Sequence, residues 1–427
     1  MSGLPLSARL RRAKTNFKIM ALRGACWLGG PRFASWFIVM TSDWRGYKPG
    51  RPTVIALYRP LFSKDLAELR KRTDLNWVYI NNEYLAHVQS AWAPREVREQ
   101  TFYQRYRTGY YEKTWKKLEE FGVELIKRLQ TRTDIGAFMT SHIDYWHAEG
   151  IRLGAKKVGI PFVGLCREHM CLPIEQRTVT EYYKDFIYEG DAIAVFGDAT
   201  RNIFINSGAC RPDQVVVTGA PRLDIWRDIV WQQGQTNFVV LLSYRDPDYR
   251  APQSFAEVLD IFLQCAEKHK DETTLSFLVK AKNLQDAEEI RGMAGKHSAN
   301  VTIDHEIQLP DLLPRSRLVI GFNSLSLLEA RFTAAQVVVP FWGDARRHPD
   351  ELIFNPADPV TRKVVDFPES PVELETLLNE AIVCQNYMRP NVEDRLAVIQ
   401  KVFYFPADCT CSENVEAFVR SRMKKPT

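Results

Sequence analysis

Short unbroken apolar runs, many of them closed by Gly, Asn, Asp or Ser, alternate along the chain with longer stretches in which apolar residues recur every three or four positions. The unbroken runs predict strands buried on both faces, and the three-and-four spacing predicts amphipathic helices. In the first half the predicted strands are 53–58, 76–80, 136–140, 161–165, 192–196 and 214–218, with helices over 112–130 and 148–158. In the second half they are 238–243, 275–280, 301–303, 318–320, 337–339 and 364–367, with helices over 254–268, 286–294 and 326–334. Strands that alternate with helices predict parallel sheets built from βαβ units.

A chain of 427 residues is too long for one ordinary core. The polar, glutamine-rich stretch "DIWRDIVWQQGQTN" carries no strand pattern and predicts a domain boundary near 232–236. The expected organisation is a basic segment over 1–50, an α/β domain over 51–232, a second over 233–390 and C-terminal helices over 391–427. Two such domains in series predict carboxyl strand ends facing across a cleft, where ligands of open α/β sheets bind.

Composition narrows this picture. A hydrophobic share of 45% and a charged share of 26% are those of a globular protein, and a net charge of +5 argues against a dedicated nucleic-acid binder while leaving room for a local basic patch. Eight cysteines lie scattered without a C-x-x-C pair, which predicts a reducing, cytoplasmic compartment and no zinc site. No apolar run reaches the ~20 residues of a membrane span. Arg9, Arg11, Arg12, Lys14, Lys18 and Arg23 are interleaved with Leu6, Leu10, Phe17, Met20 and Leu22, and no acidic residue lies among them. That pattern predicts an amphipathic helix on an anionic membrane surface, or else a solvated surface helix or a disordered arm.

Candidate chemistry collects where predicted strands end. "GFNSLSLLEA" passes from strand to small polar loop to helix and predicts an anion site, with Asn323, Ser324 and Ser326 beside the free N–H groups of a helix start. Ser326-Leu-Leu-Glu329 also reads as a capping box. "FLVKAKN" places Lys280 and Lys282 at a strand end, where a lysine offsets phosphate charge. "VVVTGAPRLD" offers Gly219 for close backbone approach, and Arg222 either toward a cleft or paired with Asp224. Asp198 is placed to cap a helix.

"PFVGLCREHM" aims Arg167, Glu168 and His169 beyond a strand, as acid/base candidates or as a loop ion pair. "VVLLSYRDPDYR" does the same with Arg245, Asp246 and Asp248, which could supply a base or nucleophile or simply make a turn. "TSHIDYWHAEG" carries His142, Asp144, His147 and Glu149, read as acceptor-side lining or a loop-to-helix cap. Arg346, Arg347 and His348 make a charged loop that could touch a nucleotide. No G-x-G-x-x-G follows an early strand and no P-loop occurs, which removes support from dinucleotide redox chemistry and NTP hydrolysis.

On "VVVTGAPRLD", "GIPFVGLCREHM" and "VIGFNSLSLLEARFTAAQVVVP" the chain resembles GT-B glycosyltransferases of bacterial surface polysaccharide assembly, over roughly 134–340. Within that group it is most similar to the retaining β-Kdo transferases of capsule and O-antigen synthesis. The resemblance implies an α/β GT-B fold of two Rossmann-like domains and a nucleotide-activated sugar donor, CMP-linked in that group. It also implies a glycan or glycolipid acceptor and no catalytic metal or cofactor. It places the donor at Lys280, Asn323, Ser324 and Ser326, with Arg222 and Arg245, and the acceptor near His142 and His169. It gives Asp246 the part of nucleophile, Asp248 as its substitute, and Glu168 the activation of the acceptor hydroxyl. The stretch "VKAKN" departs from the Lys-Pro-His-Pro type of related enzymes, and only Lys280 matches. The competing readings are a CDP-glycerol or CDP-ribitol polyol-phosphate transferase, a sugar-nucleotide epimerase, and a non-enzymatic scaffold of polysaccharide assembly.

Overall fold

The computed structural model describes residues 6–59, 62–98, 109–166, 170, 172–227, 229, 237–243, 252–272, 274–295, 300–383 and 391–423. The chain divides into two compact units. Unit 1 comprises Met1–His169, Thr180–Arg222 and Pro406–Thr427, and unit 2 comprises Met170–Val179 and Leu223–Phe405. The division falls ahead of the polar stretch that marks the boundary in the sequence. Leu223 and Trp226 are already buried within unit 2, and the Trp226 indole stacks on Phe332 at 5.9 Å and 7°.

Unit 1 carries one parallel sheet of β1 (Thr53–Tyr58), β2 (Asn76–Asn81), β3 (Ile135–Thr140), β4 (Phe162–Leu165), β5 (Ala192–Val195) and β6 (Val215–Val217), in the order β2-β1-β3-β4-β5-β6. Its helices are α1 (Leu6–Thr41), α2 (Ser63–Arg72), α3 (Asn82–Gln89), the short α4 (Arg95–Arg98), α5 (Glu112–Gln130) and α6 (Glu149–Val158). Next come α7 (Pro173–Tyr182), which spans the division, and α8 (Asp198–Asn206). The strands are apolar runs because both faces are covered: Val54 to Leu57 and Ala192 to Val195 are fully buried.

The basic N-terminal segment is not detached from the domain that follows it. Helix α1 kinks at Gly30, whose φ of 62° and ψ of −164° leave helical space, and Pro31 restarts the helix where its missing N–H costs nothing. Cys26, Ala34, Ile38 and Val39 of α1 belong to the unit 1 core with Ile55, Phe121 and Ile151. Met20, Trp27, Leu28, Trp36 and Met40 stay exposed.

Helices α5 and α6 pack at glycine. A Cβ at Gly122 would lie 2.0 Å from the Gly150 carbonyl oxygen, and one at Gly154 would lie 2.5 Å from the Gly122 carbonyl carbon. The two backbones therefore approach as closely as only glycine permits. Gly159, at φ 68°, ends α6 with the left-handed residue that turns the chain into β4.

Unit 2 repeats the plan. Its parallel strands are β7 (Phe238–Leu242), β8 (Ser276–Lys280), β9 (Val301–Asp304), β10 (Ser316–Ile320), β11 (Gln336–Val338) and β12 (Val365–Asp366), in the order β12-β11-β10-β7-β8-β9. Its helices are α9 (Pro252–Lys268), α10 (Leu284–Ala294), the single-turn α11 (Leu309–Leu312), α12 (Leu325–Ala330), α13 (Gly343–Arg347), α14 (Pro371–Val383) and α15 (Val392–Gln400). The final helix, α16 (Cys411–Arg422), returns to unit 1. It buries Val415, Phe418 and Val419, and Glu416 accepts the Asp74 N–H at 3.1 Å. Both units are thus doubly wound, Rossmann-like α/β folds. Among the described residues no helix is long and apolar enough to cross a membrane.

Candidate functional site

In a doubly wound sheet the crevice lies where the strand order reverses. In unit 1 that point is between β1 and β3. The chain leaves β1 through Tyr58 and Arg59, and leaves β3 through Thr140, Ser141 and His142. The Arg59 guanidinium lies 4.2 Å above the Tyr145 ring and donates to its hydroxyl at 3.0 Å, joining the two exits. Tyr145 stacks on His142 at 5.4 Å and on His147 at 5.1 Å.

His142 is paired. Its Nδ1 lies 2.7 Å from Asp144 Oδ1, and the Tyr183 hydroxyl donates to Asp144 Oδ2 at 3.3 Å. The contact through Nδ1 leaves Nε2 as the ring nitrogen that Asp144 does not engage. Burial pushes the Asp144 carboxyl up, but the charge and hydrogen bond of His142, with the Tyr183 hydroxyl, bring it below its ordinary value. Asp144 is therefore ionised, as a base-orienting carboxylate must be. Burial raises the Tyr183 phenol well above its usual value and keeps its proton in place.

His147 differs. Burial, followed by the nearby Arg59 charge, lowers it to about 3. It is neutral, and its Nε2 has no partner, like the buried hydroxyls of Thr140 and Ser141. Three orphaned polar atoms near one strand end are unusual for a folded interior. Thr140 also borders a cavity of about 10 Å³, with His142, Glu149 and Arg152. Arg152 grips Glu149 at 2.5 and 2.9 Å and Glu189 at 2.7 Å, tying α6 to the loop before β5.

In unit 2 the order reverses between β7 and β10. Strand β10 ends at Ile320 and is followed by Gly321, where an added Cβ would press on Leu242 and Leu327 at 3.3 Å. The serine loop follows at this switch point. Ser324 is the N-cap of α12 and accepts the Ser326 N–H at 3.2 Å. The expected capping box starting at Ser326 is not formed, because the helix begins one residue earlier at Leu325. It also ends early, at Ala330, where Thr333 takes the Ala330 carbonyl at 2.8 Å. The side chains of Asn323 and Ser326 are half-buried and have no hydrogen-bond partner among the described residues. At the facing end of β7, Ser243 donates to Asp286 at 2.5 Å.

Other predicted residues sit differently. Lys280 is not a free cation: its Nζ donates to the carbonyls of Ala281 at 3.0 Å and His305 at 2.8 Å. Lys282, two residues on, is exposed, and its ammonium has no partner among the described residues. Arg222 pairs with Asp65, not Asp224. Its N–H donates to Asp65 Oδ1 at 3.1 Å and its Nε lies 3.5 Å from Oδ2, while the guanidinium covers Phe196 at 4.8 Å. Gly219 does adopt the left-handed φ of 79°. Gly197, not Asp198, is the N-cap of α8, and no side chain caps that end. Arg346 and Arg347, expected in a charged loop, lie in the last turn of α13 and pair with Glu369 and Asp344. Glu168, His169, Arg245, Asp246 and Asp248 lie outside the described residues. Among the described residues no group of three or more His, Cys, Asp or Glu is placed to hold a metal ion.

No family model and no curated protein matches the chain. Solved structures do. The chain is similar to a putative UDP-N-acetylglucosamine 2-epimerase from Listeria monocytogenes at 11% identity and a TM-score of 0.49, over 87% of this chain and 96% of that one. It is similar to Anabaena HepE in complex with UDP and glucose at 13% identity and 0.46, over 87% and 99%. It is also similar to a UDP-forming trehalose-phosphate synthase from Burkholderia xenovorans at 12% identity and 0.44, over 87% and 98%.

Proposed function

We propose that the chain is a GT-B glycosyltransferase that moves a sugar from a nucleotide-linked donor onto a glycan or glycolipid acceptor. One observation carries this reading. In both sheets the reversal of strand order coincides with a cluster of polar side chains that the fold leaves unused: Thr140, Ser141 and His147 in unit 1, Asn323 and Ser326 in unit 2. A protein that only organised others would have no reason to keep them there.

The donor phosphates belong at the serine loop, with Asn323 and Ser326 as donors and Lys282, in place of the engaged Lys280, as the nearby cation. The acceptor belongs at the unit 1 crevice. His142, oriented by Asp144, takes the proton of the acceptor hydroxyl through Nε2, in the arrangement that gives a histidine–carboxylate pair its basicity. It is a candidate for that role beside Glu168. If the reaction retains configuration, Asp246 is the nucleophile and Asp248 its substitute. We propose a CMP-linked sugar acid such as Kdo as the donor and bacterial surface polysaccharide as the product, on the resemblance of the serine-loop and Gly219 stretches. A peripheral seat on the membrane is supported by Trp27, Leu28 and Trp36, exposed on α1 along with Lys18 and Arg32.

The test is a thermal-shift panel of CMP, CDP, UDP and GDP on the full chain. Specific binding stabilises by mass action, about 2.7 kcal/mol at a hundredfold excess over Kd. CMP is expected to give the largest shift, reduced in Asn323→Ala and Ser326→Ala. A larger UDP response overturns the Kdo donor, and no response to any nucleotide overturns the transferase. With a donor in hand, His142→Gln should lower kcat with little change in KM. Unchanged turnover would pass the base to Glu168.

A further inference from the structure

Strand β1 has a second neighbour, β2, and the carboxyl ends of these two strands open into a cavity of about 510 Å³ separate from the β1/β3 crevice. That volume suits one or two sugar rings. Its wall is basic. Arg45, Arg70 and Lys71 line it against a single carboxylate, Asp43. Arg45 holds both oxygens of that carboxylate, at 2.9 and 2.8 Å, and Arg70 stands 3.6 Å away. One charge is thereby spent, and two positive charges remain. Lys71 is exposed and has no ion-pair partner among the described residues.

The wall is also aromatic. Tyr58 and Tyr79 stack at 5.9 Å and 13°. The Arg70 guanidinium lies 4.0 Å over Tyr79 while its Nη2 donates to the Trp77 carbonyl at 3.0 Å, so both rings and the cation are fixed in advance. The Tyr79 hydroxyl is committed to the Leu66 carbonyl at 2.8 Å, and burial pushes the phenol up to about 12, so it stays neutral. The hydroxyls of Tyr58 and Tyr84 have no partner among the described residues and are left for a ligand.

The half-buried Tyr58 and exposed Tyr84 rings suit the apolar face of a sugar ring, and unspent cations suit an anion. The cavity also adjoins the helix with the exposed apolar residues. Thr41, the last residue of α1, lines it, and Tyr84 meets Phe37 of α1 edge-on at 5.7 Å. We propose that this cavity binds the phosphate-bearing sugar head of a lipid-linked acceptor, whose lipid stays in the membrane beside α1. The identity of the ligand as acceptor rests on the transferase reading; the binding itself does not.

The test uses the full chain and three probes. Phosphatidylcholine vesicles doped with phosphatidylinositol phosphate, whose inositol ring stands in for a sugar, are compared by co-sedimentation with vesicles matched in charge by phosphatidylglycerol. Glucose monophosphate, glucose and inorganic phosphate are titrated in solution. The expected result is binding at least tenfold tighter to the phosphoinositide vesicles, and binding of glucose monophosphate over both glucose and phosphate. Lys71→Ala should weaken both about tenfold, the loss of one charge-assisted contact, and Arg45→Ala should weaken both by leaving the Asp43 carboxylate less compensated against the anion. Both side chains are on the surface, Arg45 at 85% exposure, so folding is spared. Tyr84→Ala should weaken glucose monophosphate and leave inorganic phosphate alone.

Equal binding to both vesicles, unmoved by the variants, means diffuse charge attraction and overturns the proposal. Binding of glucose monophosphate without vesicle preference overturns the lipid-linked source. The nucleotide panel on the same sample keeps the two readings apart, since failure there with intact sugar-phosphate binding sinks the transferase and not this site.

Discussion

Replacing Gly122 with alanine tests the close approach of α5 and α6 at their glycines. The new Cβ would sit 2.0 Å from the Gly150 oxygen, 2.8 Å from its carbonyl carbon and 3.3 Å from Gly154 Cα. These are backbone atoms and cannot swing aside, so α5 and α6 must part by about 1 Å or more to restore contact. Overpacking of this kind costs about 3 kcal/mol, and alanine returns about 1 kcal/mol of helix propensity, leaving a net loss of about 2 kcal/mol. In urea, with a slope of about 2 kcal/mol/M, the midpoint of unit 1 should fall by about 1 M. Gly24→Ala is the matched control. That glycine is also helical and exposed, and its Cβ would meet nothing within 4 Å. It should be neutral or stabilising by up to about 1 kcal/mol. A Gly122→Ala midpoint equal to or above that of the parent refutes the close packing.

Three further outcomes follow from the same geometry. His147 is held near 3, below the ~6.5 of an unfolded chain, so between those values the unfolded state binds the extra proton and stability falls as pH drops from about 6.5 toward 3. His147→Phe should flatten that part of the pH–stability curve measured by urea titration; an unchanged slope removes His147 as its source. Arg222→Met removes the guanidinium from the fully buried Asp65 carboxylate while keeping the backbone N–H bond, and should cost about 1 kcal/mol, discounted for the 20% exposure of Arg222, with nucleotide affinity intact. Weaker nucleotide binding at unchanged stability would instead return Arg222 to the donor site. Burial raises the thiols of Cys26 and Cys265 to about 11 and that of Cys210 to about 12, so maleimide should label half-exposed Cys409 before any of them, as read by peptide mass mapping.

Every strand was legible in the sequence to within two residues at either end, because a strand buried on both faces must be apolar throughout and stop at a polar turn. The strand order was not, since pairing β1 with β3 and β7 with β10 depends on contacts far apart in the chain. The polar clusters could be seen, but their placement at the two switch points could not. Side-chain partners were the hardest to foresee. Arg222 finds Asp65 across 157 positions, and Asp144 finds Tyr183 across 39. The choice between Lys280 and Lys282 turned on two backbone carbonyls that no residue pattern reveals. The cavity beside β2 draws its cations from the α1 exit and from α2, segments that read separately as ordinary charged surface.

The return of α16 to the first unit imposes an order of events at the ribosome. The patch that Val415, Phe418 and Val419 cover stays bare until the α16 segment itself has been translated. At about 5–20 residues per second, everything after Arg222 takes on the order of ten to forty seconds to make. The earlier-made half must wait that long, open to chaperones and proteases, while the later-made half folds, and a message cut short just before Pro406 would leave it permanently unsealed.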